Sequence, residues 1–118
     1  ESMNPILPEI GTVFIPVRDV ATSRDWYCQL FDLATDGDIL FGHLYVVPLN
    51  GPNLVLDSKI FSEANVIQTP LFHLNTPDIH QAYAHMVQRQ IDILTPIEHD
   101  HWFHFKDPDG NVLMMCQC

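Results

Sequence analysis

Cysteine and basic residues are scarce in these 118 residues, and each shortage removes a class of protein. The three cysteines, Cys28, Cys116 and Cys118, are an odd number in a chain of this size, which does not suggest the disulfide framework of a small secreted domain. Five Lys and Arg against fifteen Asp and Glu leave a formal charge of -10, which repels phosphate backbones and anionic lipid surfaces alike, so neither nucleic acid nor membrane is an expected partner. No apolar run approaches the length of a membrane span, and the start of the chain has no charged-then-apolar export signal, so a cytoplasmic location is expected. Glu1-Ser2 ahead of Met3 reads as a cloning remnant outside the fold. Also lacking are a G-x-S-x-G elbow, a phosphate-binding P-loop and a dinucleotide fingerprint, which argues against serine acyl transfer, nucleotide hydrolysis and a Rossmann cofactor.

What is present is an ordinary globular composition, 47% hydrophobic and 17% charged, in a length that suits a single domain. The chain reads twice through one plan. GTVFIPV (11–17) is a short apolar strand that runs into Asp19 and the helical pattern ATSRDWYCQLFDL, with Val20, Tyr27, Leu30 and Phe31 on one side. LFHLN (71–75) runs into Thr76-Pro77-Asp78, read as a Thr N-cap with Pro at the first helical position, and then into IHQAYAHMVQRQ, whose Ile79, Ala82, Tyr83, Met86 and Val87 follow the helical spacing. Strand-type segments follow each helix: LFGHLYVVPL and NLVLDS in the first half, IDILTPIE, HWFHFK and NVLMMCQ in the second. The expected fold is therefore α+β: a single domain over 1–118 made of two tandem β-α-β-β-β modules, about 10–58 and 70–118, with a linker at about 59–69 and curved mixed sheets enclosing a cavity.

The most specific local signal is Asp107-Pro108-Asp109-Gly110-Asn111. Proline with its pre-set φ and a glycine free to take positive φ specify a type I turn closed by a glycine bulge. That turn pairs Lys106 with Val112, His104 with Met114 and Trp102 with Cys116. Phe103, Phe105, Leu113 and Met115 then form an apolar strip suited to packing under a helix. Among the remaining groups, Cys28 reads as a small core side chain without a neighbouring base. Cys116 and Cys118 form a C-x-C that is a weak metal signal, although alternation gives both side chains one face. The histidines of Glu98-His99-Asp100-His101 read as an exposed, mobile polar loop.

Taken together, FIPVRDVATSRDWYCQLFDL, the second strand-Pro-Asp-helix and HFKDPDGN resemble the vicinal oxygen chelate superfamily of glyoxalases, extradiol dioxygenases and antibiotic-resistance proteins. The resemblance spans nearly the whole chain and implies the paired-module fold. It also implies where a divalent metal would sit: His or Gln on the first strand of each half, and Glu or His on the last strand of each half. Those positions fall on Thr12, Leu71 and Met114, with Val55 as the first-half equivalent, and none is a good metal ligand.

With Met114 facing the cavity as the resemblance implies, alternation places Thr12, Phe14, Leu71, His73, Asn75, Trp102 and His104 on the same lining. That is an aromatic and apolar surface with a few polar groups, the recipe for a small-molecule site. The expectation is a metal-free, cytoplasmic small-molecule-binding protein of the glyoxalase/bleomycin-resistance type, without a cofactor and acting as a homodimer. The alternative is a lyase, isomerase or dioxygenase with a divalent metal displaced onto Asp57, His73 and His104, a two-imidazole, one-carboxylate set.

Overall fold

The structure, a computed structural model, describes residues 3–118, so the reading of Glu1 and Ser2 lies outside the described residues. The chain divides into two compact units, Glu1–Lys59 and Ile60–Cys118. Among the described residues, no helix is long and apolar enough to cross a membrane.

The first unit runs β1 (Thr12–Pro16), α1 (Val20–Phe31), β2 (Leu44–Val47) and β3 (Asn53–Asp57). Its sheet has the order β1-β3-β2, with β1 parallel and β2 antiparallel to the central strand. Helix α1 starts where the Asp19 side chain accepts hydrogen bonds from the backbone N–H groups of Ala21 and Thr22, two of the donors that a helix start leaves unpaired. It ends on Asp32 in the left-handed conformation. Val20, Ser23, Tyr27 and Cys28 are buried along one side of it, while Ile15, Val47, Leu54 and Leu56 supply the buried face of the sheet.

This unit is one strand shorter than the expected plan. Phe41 and Gly42 both take positive φ (52° and 75°), which curls the chain back so that Leu40 makes only an isolated bridge with Leu44. The preceding stretch, ATDGDI, has no alternation to hold a strand. Instead it brings Gly37 against the Tyr45 ring, where an added Cβ would lie 2.9 Å from the hydroxyl oxygen, an approach that only glycine permits. Tyr45 is buried, and its hydroxyl sits 3.8 Å from the buried Cys28 sulfur. Cys28 is thus a core side chain, in keeping with its sequence environment.

The second unit adds a 3₁₀ turn (Glu63–Asn65), β4 (His73–Asn75), α2 (Ile79–Gln88), β5 (Asp92–Ile93), β6 (Trp102–Lys106) and β7 (Val112–Cys116). Its sheet has the order β4-β7-β6-β5, with β4 parallel to β7 and the other pairs antiparallel. The helix cap differs from the expectation. Asp78, rather than Thr76, accepts from the backbone N–H groups of His80 and Gln81, and Pro77 stands outside the helix. The Thr76 hydroxyl is engaged with the backbone of Asp78 itself, so the carboxylate two residues closer to the helix takes the capping role.

The hairpin register is the expected one: Lys106 faces Val112, His104 faces Met114 and Trp102 faces Cys116. The turn is held by a buried network. Asp107 is 3% exposed and Asn111 fully buried. One Asp107 oxygen accepts from the Asp109 and Asn111 N–H groups at 2.9 Å each, and the other accepts from the Asn111 side-chain amide at 2.8 Å. The Asn111 amide oxygen accepts from the Ile67 N–H at 3.0 Å, and Ile67 in return accepts from the Val112 N–H at 2.8 Å. Gly110 takes φ 93°, as the bulge demands.

Two outcomes follow from these cores. Asn111→Ala removes the amide donor to one Asp107 oxygen and the acceptor of the Ile67 N–H inside the protein, so urea denaturation should show a loss of roughly 2–4 kcal/mol. Burial, reinforced by the Cys28 hydrogen bond, raises the Tyr45 phenol above the ordinary 10.0. The unfolded chain then loses this proton first as pH rises past 10.0, so stability should be flat below that pH and fall above it. Tyr45→Phe should flatten that alkaline limb in denaturation curves taken across pH 8 to 11; an unchanged limb would place its origin elsewhere.

Candidate functional site

Each sheet presents one face to its own helix and one face away from it. In the second unit, alternation sends Phe103, Phe105, Leu113 and Met115 toward α2, where all four are buried and the Tyr83 ring meets Phe103 edge-on at 5.1 Å. The opposite face must therefore carry the intervening residues. Its register forms two rows: His73, Met114 and His104 across β4, β7 and β6, and next to it Asn75, Cys116 and Trp102. His73 and Asn75 are exposed, while Met114, His104 and Trp102 are half-buried.

Five of the eight candidate binding residues, His73, Asn75, Trp102, His104 and Met114, are thus gathered in adjacent rows on one face of one sheet. His104 is fixed through its backbone N–H, which donates to the Thr95 hydroxyl at 2.9 Å, so its imidazole is not spent on holding the strand. Leu71 lies two residues ahead of β4 and is 75% exposed. In the first unit Thr12 opens β1, and Phe14, 55% exposed, shares a face with Val55 and Val46. Val55 and Asp57 are two apart on β3 and so share that face. The Asp57 carboxylate accepts from the Lys59 N–H at 2.9 Å.

The metal expectation can be tested on donor chemistry. Thr12, Val55, Leu71 and Met114 offer two alkyl groups, a neutral hydroxyl and a thioether, and these do not fit the hard or borderline divalent ions that imidazole and carboxylate sets hold. In the displaced set, His73 and His104 flank Met114 on neighbouring strands, and Asp57 belongs to the other unit. The one group of three possible ligands assembled among the described residues is a different one: His73, Cys116 and Cys118, whose ligand atoms lie within 4.8 Å of one another. The two cysteines are joined by a disulfide. An odd cysteine count does not suggest a disulfide framework, yet C-x-C at a strand end puts both sulfurs on one side; that alternation was the available signal for this bridge.

Glu98-His99-Asp100-His101 is exposed, as expected, and forms a hydrogen-bonded turn. His99 and Asp100 take φ 50° and 61°, the His101 N–H donates to the Glu98 carbonyl at 2.9 Å, and Asp100 pairs with His80 of α2 at 2.6 Å. The His99 ring lies 5.0 Å from that of Trp102. A separate surface depression in the first unit is lined by Pro8, Glu9, Ile10, Gly11, Gly51 and Pro52. It offers no aromatic side chain and one titratable group, a poor match to a catalytic or stacking site.

Comparison with known proteins places these observations in context. A sequence profile described as the Glyoxalase/Bleomycin resistance protein/Dioxygenase superfamily matches residues 9–115. No curated protein matches the chain in sequence. Among solved structures, a member of the glyoxalase/bleomycin resistance protein/dioxygenase superfamily from Sphaerobacter thermophilus is similar with a TM-score of 0.72 at 19% identity, covering 95% of this chain and 98% of its own. TnmS3, an antibiotic binding protein from Streptomyces sp. CB03234, matches with a TM-score of 0.72 at 22% identity over 97% and 98% of the two chains. A lactoylglutathione lyase from Agrobacterium tumefaciens matches at 0.71 and 15% over 95% of each. At these identities the likeness is one of fold, and the fold is shared by binders and enzymes.

Proposed function

The chain belongs to the Glyoxalase/Bleomycin resistance protein/Dioxygenase superfamily, and from within it we propose a metal-independent binding role: the protein sequesters or senses a small apolar or aromatic molecule. The observation that carries this reading is the pair of rows His73-Met114-His104 and Asn75-Cys116-Trp102 on the sheet face turned away from α2. A planar ligand can stack on Trp102, touch the polarisable sulfur of Met114 and meet hydrogen-bonding groups at His104, His73 and Asn75. Thioether and alkyl groups at the family's metal positions support binding without a metal. The enzyme reading, a metal-dependent lyase, isomerase or dioxygenase, stands as the competing one.

The test uses Trp26→Phe protein, which leaves Trp102 as the sole indole, titrated with planar aromatic compounds such as anthraquinones in the presence of a chelator. Saturable quenching is expected, weakened at least about tenfold by His104→Ala or Asn75→Ala, with denaturation midpoints unchanged. Binding that disappears with chelator and returns with a divalent ion would favour the enzyme reading instead.

A homodimer is part of this proposal. Strands β1 and β4 are edges of their sheets, and Met3, Ile6, Leu7 and Ile10 are large apolar side chains left exposed, both of which favour association. Light scattering at micromolar concentration should give about twice the 13.5 kDa of one chain; a monomer mass would refute it.

A further inference from the structure

We propose that Cys116, Cys118 and His73, once the disulfide is reduced, form a binding site for a zinc-class cation, so that metal uptake by this protein is gated by thiol redox state. The site is separate from the family's metal positions. Those fall on Leu71 and Met114, whereas His73 and Cys116 each lie two residues further along the parallel strands β4 and β7. A step of two keeps the side chain on the same face, so the set is displaced along the sheet in register.

Three features of the geometry support it. The two sulfurs and an imidazole nitrogen lie within 4.8 Å of one another. Metal bonds of about 2.3 Å to sulfur and about 2.0 Å to nitrogen bring the ligands of one ion to about 3.5–4 Å apart, within reach of small side-chain rotations. The segment is also held in place. The Gln117 N–H donates to the His101 carbonyl at 2.7 Å, its side-chain oxygen accepts from the Ile79 N–H at 2.9 Å, and the Cys116 carbonyl accepts from the Thr76 N–H at 3.0 Å. With Gln117 turned to the start of α2, Cys116 and Cys118 turn to the opposite face, beside His73. Finally, the donor chemistry is selective. Two thiolates and a neutral imidazole suit zinc and other borderline-soft ions and leave a fourth position for water.

The redox step balances with a small-molecule thiol as reductant. Its thiolate attacks the sulfur of Cys118, the exposed partner, breaking the protein disulfide and expelling the Cys116 thiolate. A second reductant thiol then attacks the mixed disulfide and releases the Cys118 thiolate, with one reductant disulfide as the oxidised product. Binding a divalent ion displaces the two cysteine protons to solvent.

The experiment compares oxidised protein with protein reduced by a phosphine and desalted without oxygen, both titrated with Co²⁺ as a spectroscopic stand-in and then with Zn²⁺ in competition. The reduced protein should take up one equivalent with a sulfur-to-cobalt charge-transfer band, and the oxidised protein none. Cys118→Ser, which alters an exposed side chain, should lose much of that band and at least about tenfold in affinity, since even second-layer partners of a ligand cost this much. His73→Ala should lose comparable affinity while keeping the band. No uptake by reduced protein overturns the proposal, as does uptake equal to wild type in both variants, which would move the ion to a group such as His99 and His101. Aromatic-ligand quenching of oxidised protein under chelator is read independently, so failure here and failure of the binding reading are distinguishable.

Discussion

The buried pairing of Asp107 with Asn111 is the constraint on which the second unit depends. A hairpin strand displays alternate side chains on opposite faces, so a slip of one residue would exchange the two sets completely. Phe103, Phe105, Leu113 and Met115 would turn away from α2, and His104, Trp102 and Met114 would be driven beneath it. The two Asp107 oxygens collect three donors from Asp109 and Asn111, and the Asn111 oxygen reaches across to Ile67. Any other register would leave buried polar groups without partners, at a cost of about 1–3 kcal/mol for each. The turn therefore determines which chemistry faces outward, although none of its own residues belongs to the candidate site.

This explains why that part of the molecule was readable in the sequence. Asp-Pro-Asp-Gly-Asn encodes its geometry locally, through a fixed φ, a positive φ and short polar side chains, and the pairing of strands up to Trp102 and Cys116 follows from counting. Asp19 and Asp78 were visible as the residues that precede each helix, but the cap of the second helix was assigned to Thr76. Thr76-Pro77-Asp78 was harder because it offers two cap candidates within three residues, and the choice rests on which oxygen reaches the N–H groups of His80 and Gln81. The missing strand near Leu40 depends on Phe41 in a left-handed conformation and on the fit of Gly37 against Tyr45, neither of which a periodicity can express.

The site was legible only in part. Which residues share a face follows from alternation, and His73, Asn75, Trp102, His104 and Met114 fall together as that rule requires. The length of β4 does not follow from it: two residues short of the expected strand leaves Leu71 outside the row. The cysteines were hidden by a rule about numbers. An odd count speaks against a framework of long-range bridges, but it says nothing about a bridge across a single residue, whose formation needs only two side chains on one face at a strand end.

The same face gives these sulfurs a consequence for binding. Cys116 stands between Asn75 and Trp102 in its row, so its oxidation state bears on the surface next to the Trp102 indole. As a disulfide it is neutral and polarisable, continuous with the Met114 thioether and suited to an apolar or aromatic molecule. Reduced, it is a thiol whose proton a captured cation displaces, on a chain whose formal charge of -10 favours a cation. Metal capture would in turn occupy His73, one of the hydrogen-bonding groups proposed for the organic ligand. The two binding modes therefore compete for a shared imidazole and for the electrostatics of one row, which makes them alternatives on a single surface.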